Sequence, residues 1–284
     1  MFDYAAPALY ALFVWWLGTG IILYLDSLPT HTYRWSLTGG ALVLIGAIVG
    51  VVVSGSGTSV AHAYIGFTCG VLVWGTLEMS YFMGLVSGPH KTPCPPGCGS
   101  WRRFGLAIGT SLYHELSVVA MGLLLAVFCW NADNQVGLWT YCVLWVMRWS
   151  AKLNIFFGVP NLHIDWLPEH LRFLQSYMGQ RSMNYLFPLS VSGGTIGCVL
   201  MISGALDLET GPFGSTGQLL VAVLLALAVL EHWFLVLPLP DEALWAWAFK
   251  PRSRRSVWRS RVGSQRARVR GPGRSAQLAA ISGR

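Results

Sequence analysis

The sequence predicts an all-α fold: a polytopic membrane helix bundle of about seven transmembrane helices, N-terminus periplasmic and C-terminus cytoplasmic. Three observations predict it. The 284 residues are 54% hydrophobic and only 11% charged, against about 25% charged in a soluble domain. Seven apolar stretches are long enough for a hydrocarbon core of about 30 Å, which takes roughly 20 helical residues to cross. Lysine and arginine fall on alternate connections between those stretches.

The first span is expected at about 6–25. The opening "MFDYAAPALYALFVWW" lacks the basic n-region of a secretory leader and reads as part of a permanent helix. Further spans follow at about 36–54, 60–86, 104–130, 136–158, 184–206 and 217–237. The connections after the first, third, fifth and seventh carry Arg34; Lys91, Arg102 and Arg103; Arg172 and Arg181; and eleven basic residues from Lys250 to Arg284. The N-terminus and the other connections carry none, and hold Asp3, Asp133, Asp207 and Glu209 instead. Seventeen basic residues against zero set the orientation by the positive-inside rule. The 14 tryptophans suit the bilayer interface. GxxxG spacings at Gly46/Gly50, Gly66/Gly70, Gly105/Gly109 and Gly193/Gly197 let helices approach closely.

The chain divides into a membrane domain, 1–249, with a cytoplasmic amphipathic segment at 159–183, and a basic tail, 250–284. In the segment, Leu167, Leu171, Leu174 and Met178 repeat at helical spacing opposite Glu169, Arg172 and Gln175, which predicts an interfacial helix. Pro238 and Pro240 should end the last span, with Trp245 and Trp247 as interfacial anchors. The tail has no acidic residue and is expected to lie disordered against anionic lipid headgroups. No aromatic-rich fold accompanies its charge, so nucleic acid is not an expected partner. The six cysteines are too scattered for a disulfide framework. Cys94 and Cys98, in "GPHKTPCPPGCGSWRRF", read as reduced thiols in a turn-rich loop, because a structural zinc site wants four ligands.

Four of the apolar stretches carry ionisable groups. Glu78 lies in the third, His114 and Glu115 in the fourth, Arg148, Lys152 and Asn154 in the fifth, and Glu231 and His232 in the seventh. At about 1.5 Å per residue, all fall roughly 10–16 Å from the cytoplasmic surface. A charge facing lipid costs at least about 2.5–3.5 kcal/mol, so these groups should face one another. The plainest reading is an ion-pair network fixing helix register. A metal site is a second, with Glu78, His114, Glu115, Glu231 and His232 as ligands, as in di-iron carboxylate bundles. Those use Glu-x-x-His, however, whereas the pairs here are adjacent and about 100° apart. A third is a tetrapyrrole site, with His114 or His232 giving an axial nitrogen and Arg148 and Lys152 pairing with ring carboxylates. Asn161, His163 and His170, on the cytoplasmic segment, are candidate caps over the cluster.

The stretches "WRRFGLAIGTSLYHELSVV", "LWVMRWSAKLNIFFGVPNLHIDWLPEHLRFLQSY", "NYLFPLS" and "LEHWFLVLPLPDEALWAW" resemble the PuhE family, photosynthetic complex assembly proteins of purple bacteria. The resemblance covers roughly residues 1–249. It implies an inner-membrane protein, encoded among photosynthesis genes near the reaction-centre H subunit, that supports accumulation of the reaction centre and core antenna. It implies dealings with their subunits or with pigment-synthesis proteins, and with bacteriochlorophyll or a precursor. His114, Glu115, Arg148, Lys152, Asn154, Asn161, His170, Glu231 and His232 match positions in the family's motifs, without roles attached. An assembly factor or pigment carrier is expected ahead of an enzyme, because no nucleotide or cofactor motif is visible. The alternative is a membrane enzyme of tetrapyrrole metabolism using the Glu/His cluster as a metal or acid–base site.

Overall fold

The computed structural model describes residues 2–162, 167–238 and 241–248. These form eight α-helices and no strands: α1 (Phe2–Asp26), α2 (Tyr33–Ser54), α3 (Val60–Phe82), α4 (Ser100–Gly109), α5 (Leu112–Phe128), α6 (Val136–Phe157), α7 (Leu186–Ala205) and α8 (Pro212–Phe234). Five of them, α1, α2, α3, α7 and α8, are long and apolar enough to cross a bilayer, and α4 with α5 makes a sixth when counted as one broken span. The 22 residues of α6 match their length, but Arg148, Lys152 and Asn154 dilute its apolar character.

The stretch expected as one helix at 104–130 is instead bent by 64° between α4 and α5. Weak helix formers sit at the bend, and the Thr110 hydroxyl donates to the Ala107 carbonyl. The backbone of residues 87–90 fills the gap. His90 N–H donates to the Gly109 carbonyl and His114 N–H to the Ser87 carbonyl. Backbone groups freed by a break inside a membrane need partners of this kind. Gly88 makes the approach possible, because a Cβ there would lie 2.1 Å from the Gly109 oxygen.

Helix α8 runs through the centre, burying Leu219, Leu220, Leu224, Leu225 and Ala228 against α1, α3, α6 and α7. A second core joins α2, α3, α5 and α6 through Val51, Val73, Trp74, Val118, Leu125 and Tyr141. Of the GxxxG pairs, Gly66/Gly70 carries a helix crossing. A Cβ on Gly70 would meet the Gly137 carbonyl at 2.6 Å, and one on Gly66 the Gly137 amide at 3.3 Å. In the other three pairs one glycine faces open space. The close crossing of α3 with α6 is what brings the polar residues of the two helices together.

After α6, the expected amphipathic α-helix is a 3-10 helix, Glu169–Tyr177, introduced by Pro168. Of the expected apolar face Leu171 is buried, together with Tyr177, while Leu167, Leu174 and Met178 are half-buried. Its backbone is tied down by side chains instead of a regular α ladder: Arg103 donates to the Tyr177 carbonyl and Ser176 to that of Phe173. The last span ends at Phe234, ahead of both prolines. The chain then folds back on α1, where Trp245 is buried, its indole N–H donating to the Trp16 carbonyl. Trp16 returns a bond to the Leu244 carbonyl.

Candidate functional site

The site is built from α3, α5 and α6. Arg148 clasps Glu78, with Nε 3.1 and 3.2 Å from the two carboxylate oxygens and an Nη 3.1 Å from Oε2. A charged, forked contact of this kind fixes both partners geometrically. Nε2 of His114 lies 3.4 Å from Glu78 Oε1. The imidazole leans on the Tyr81 ring, with centroids 4.8 Å apart. His114 is only 1% exposed, and its Nδ1 has no hydrogen-bond partner among the described residues.

One turn along α6, Lys152 pairs with Glu115 of α5. The Trp149 indole donates to the other oxygen of Glu115 at 2.5 Å, and Ser111 adds a bond at 3.3 Å. The Lys152 ammonium also lies 5.1 Å above the Tyr81 ring. Tyr81 therefore sits between the two ion pairs, touching His114 on one side and Lys152 on the other.

A separate polar chain runs on the opposite side of α6. Ser150 is two positions from Arg148, about 200° around a helix. The His232 Nδ1–H donates to the Ala228 carbonyl at 2.8 Å, which leaves Nε2 to accept from Ser150 at 2.8 Å. Ser150 also meets Ser190 of α7, and Asn154 donates to both the Ser150 carbonyl and the Ser190 hydroxyl. Asn184 then donates to the Asn154 carbonyl and caps the start of α7.

The structure thus joins Glu78, His114, Glu115, Arg148 and Lys152, and sets Asn154 and His232 in a neighbouring group. It does not bring in Glu231. That carboxylate is exposed on the outer surface and accepts from the Trp15 indole of α1 at 2.8 Å. Adjacent residues on a helix point about 100° apart, and His232 takes the interior direction. The five-residue metal set does not converge. Among the described residues no three His, Cys, Asp or Glu side chains are placed to hold a metal ion. The reason is electrostatic: Arg148 and Lys152 already occupy the two inner carboxylates.

The two pigment-ligand candidates also separate. His232 has both ring nitrogens engaged by protein, and does not fit an axial ligand. His114 differs in that Nδ1 meets no hydrogen-bond partner among the described residues, while Nε2 faces Glu78. A carboxylate behind a histidine is the usual way to orient such a ligand.

Of the candidate caps, His170 bonds the Phe82 backbone at the end of α3, and burial holds its pKa below the usual histidine range. Asn161 donates its N–H to the Leu235 carbonyl, and its buried side-chain nitrogen has no partner among the described residues. His163 lies outside the described residues. A cleft of about 610 Å³, lined by Trp139, Met201, Phe213 and Val221, opens at the other end of α6 and touches none of these groups.

Residues 1–256 match the family described as "Protein of unknown function (DUF3623)". The chain belongs to this family. A relative from Rhodobacter capsulatus, described as "Uncharacterized 30.4 kDa protein in puhA 5'region", is 40% identical over 245 residues, which is 84% of this chain and 89% of the relative. No solved structure matches the chain.

Several partners in the family member's cluster escape sequence reasoning. Tyr81 and Ser150 had a signal, since Tyr81 is three residues from Glu78 and Ser150 four from Asn154, one helical turn each. Trp149 had the same signal, three residues from Lys152, whereas Ser87 and Ser190 had none, because Ser87 comes from the connection after α3 and Ser190 from α7, each brought in only by the tertiary fold.

Proposed function

We propose that this protein is an integral factor of the bacterial inner membrane that supports assembly or accumulation of the photosynthetic reaction centre and core antenna. The observation that carries this reading is the relative in the puhA 5′ region, which matches most of both chains. The buried cluster is the proposed working site. His114 would hold a bacteriochlorophyll-type tetrapyrrole by donating the Nδ1 lone pair to the metal of the ring. Glu78 sets the tautomer and orientation of the ring. Arg148 and Tyr81 fix Glu78 and His114 in place.

The proposed topology has seven spans, with α4–α5 as one broken span, α6 as the fifth, the N-terminus periplasmic and the C-terminus cytoplasmic. Contacts between connections support it. Ser27 meets Ala248, His90 meets Tyr177, and Asn161 meets Leu235, all at the cluster's end. Asn134 meets Ser54 and His62 at the other.

The test replaces the chromosomal gene with wild-type, His114→Ala and Glu115→Gln versions. Membrane abundance and core-complex absorbance are measured in photosynthetically grown cells. The expected result for His114→Ala is near-normal abundance with reduced core-complex absorbance, and for Glu115→Gln reduced abundance. Full core-complex absorbance in His114→Ala cells would remove the pigment role of the histidine. Full absorbance in a strain lacking the gene altogether would remove the assembly role.

A further inference from the structure

The connection between α3 and α4 holds a feature that the cluster does not use. The Sγ atoms of Cys94 and Cys98 are 3.4 Å apart, both part-buried and both free thiols. The chain between them is shaped to produce this contact. Cys98 N–H bonds back to the Pro95 carbonyl, and Gly97 has φ +73°. Proline at the second turn position and a left-handed glycine at the third are what a type II turn requires. Pro95, Pro96 and Gly97 thus limit the conformations of the loop around the pair.

The frame around the turn is also fixed. Cys94 N–H donates to the Ser176 hydroxyl at 2.8 Å. The Tyr177 hydroxyl bonds the Thr92 carbonyl at 3.0 Å and His90 Nε2 at 2.7 Å. The same connection reaches the cluster, where the Ser87 carbonyl accepts from the His114 amide. The remaining cysteines, Cys69, Cys129, Cys142 and Cys198, lie in or at the ends of the apolar helices and have no thiol partner of this kind among the described residues.

We propose that Cys94 and Cys98 form a dithiol–disulfide exchange site on the polar cap, taking small-molecule or protein disulfides as its reaction partners. A disulfide bond is about 2.05 Å long, so the sulfurs need to close by roughly 1.4 Å. In the forward direction one cysteine loses its proton, and the thiolate attacks a disulfide RSSR. A mixed disulfide forms and RS⁻ leaves. The second cysteine, as thiolate, attacks the protein sulfur of that mixed disulfide, and the second RS⁻ leaves. The dithiol is oxidised by two electrons, RSSR is reduced to two thiols, and both protons pass to the leaving groups. Disulfides in a reducing compartment are characteristically transient and redox-sensing. Zinc is a weaker fit, because no third His, Cys, Asp or Glu joins the pair to hold a metal among the described residues.

The local charges set the pH dependence. Burial and the neighbouring Cys98 thiol push the Cys94 thiol above its ordinary value, with Arg103 and Arg102 pulling the other way. The attacking form is the thiolate, so where Cys94 attacks first the exchange rate should rise about tenfold per pH unit between pH 7 and 8.5.

The experiment uses the full chain in mild detergent, equilibrated in a series of reduced and oxidised glutathione mixtures. It is then acid-quenched, alkylated, digested and read by mass spectrometry. The expected product is one intramolecular Cys94–Cys98 disulfide that forms and reverses with the buffer. Cys94→Ser and Cys98→Ser should each trap glutathione on the remaining loop cysteine. Three results would overturn the proposal. The pair stays reduced in fully oxidised glutathione, the helix cysteines oxidise to the same extent as the loop pair, or the purified chain carries stoichiometric zinc that protects both thiols.

Discussion

Glu78 and Glu115 each face one cation, yet they are not equivalent. The Glu78 side chain is 8% exposed and that of Glu115 16%. Removing one member of a buried pair strands the other charge, at about 3–5 kcal/mol when fully buried. Glu78→Gln should therefore lose more stability than Glu115→Gln, because Glu78 is the more buried carboxylate and faces both Arg148 and His114, while the two stranded cations are about equally exposed, Arg148 at 27% and Lys152 at 26%. Thermal unfolding in detergent measures both. Removing the pair together, as Glu78→Gln with Arg148→Met, should be milder than Glu78→Gln alone. A double variant that is worse by the sum of the two singles would show that the pair is not coupled. At this scale the sequence was informative in part. The inward demand on Glu78, Glu115, Arg148 and Lys152 followed from the cost of charge in lipid. The outward turn of Glu231 did not, because its partner Trp15 is 216 residues away and no local spacing connects them.

The break between α4 and α5 makes its own prediction. A side chain at Gly88 has no room beside Gly109 and Thr110, so Gly88→Val should push the 87–90 segment off the break. His114 N–H would lose the Ser87 carbonyl, at about 1–3 kcal/mol for a buried donor left unsatisfied. Hydrogen exchange at the His114 amide should speed up well beyond that of amides in α8. Unchanged protection would mean that the α4–α5 bend does not need this segment. The break was illegible in the apolar pattern of residues 104–130, whose polar positions Thr110, Ser111, His114 and Glu115 recur at helical spacing and so read as one face of a continuous helix. The signal lay in the run Gly109-Thr110-Ser111, ordinary enough inside a membrane helix to be passed over. The cap was legible as an apolar spacing, but the choice of 3-10 over α depends on Arg103 and Ser176, which spacing does not encode.

For the whole molecule, the testable property is orientation. Deleting 251–284 leaves Arg34, Lys91, Arg102, Arg103, Arg172, Arg181 and Lys250 on the proposed inside segments and no basic residue on the outside ones. Insertion should be unchanged, and protease protection of loop tags at 57 and 208 reads it directly. Inverted protection would give the tail the deciding role in topology. The alternation of basic residues spoke to the whole path of the chain, whereas hydropathy alone leaves α6 ambiguous because its cations count against it.

The order of the cluster along the chain matters for synthesis. Glu78 and Glu115 leave the ribosome before Arg148 and Lys152. A carboxyl can wait in an apolar setting by taking up a proton, but a guanidinium stays charged at any physiological pH. On the seven-span reading, the group that cannot hide its charge therefore arrives last, when both of its acceptors are already in place. Helix α6 is then a late passenger whose retention depends on earlier ones. A nascent chain stalled far enough beyond Phe157 for α6 to have left the ribosome should hold α6 in the membrane when Glu78 and Glu115 are intact. With both changed to leucine, α6 should slip back to the cytoplasmic side.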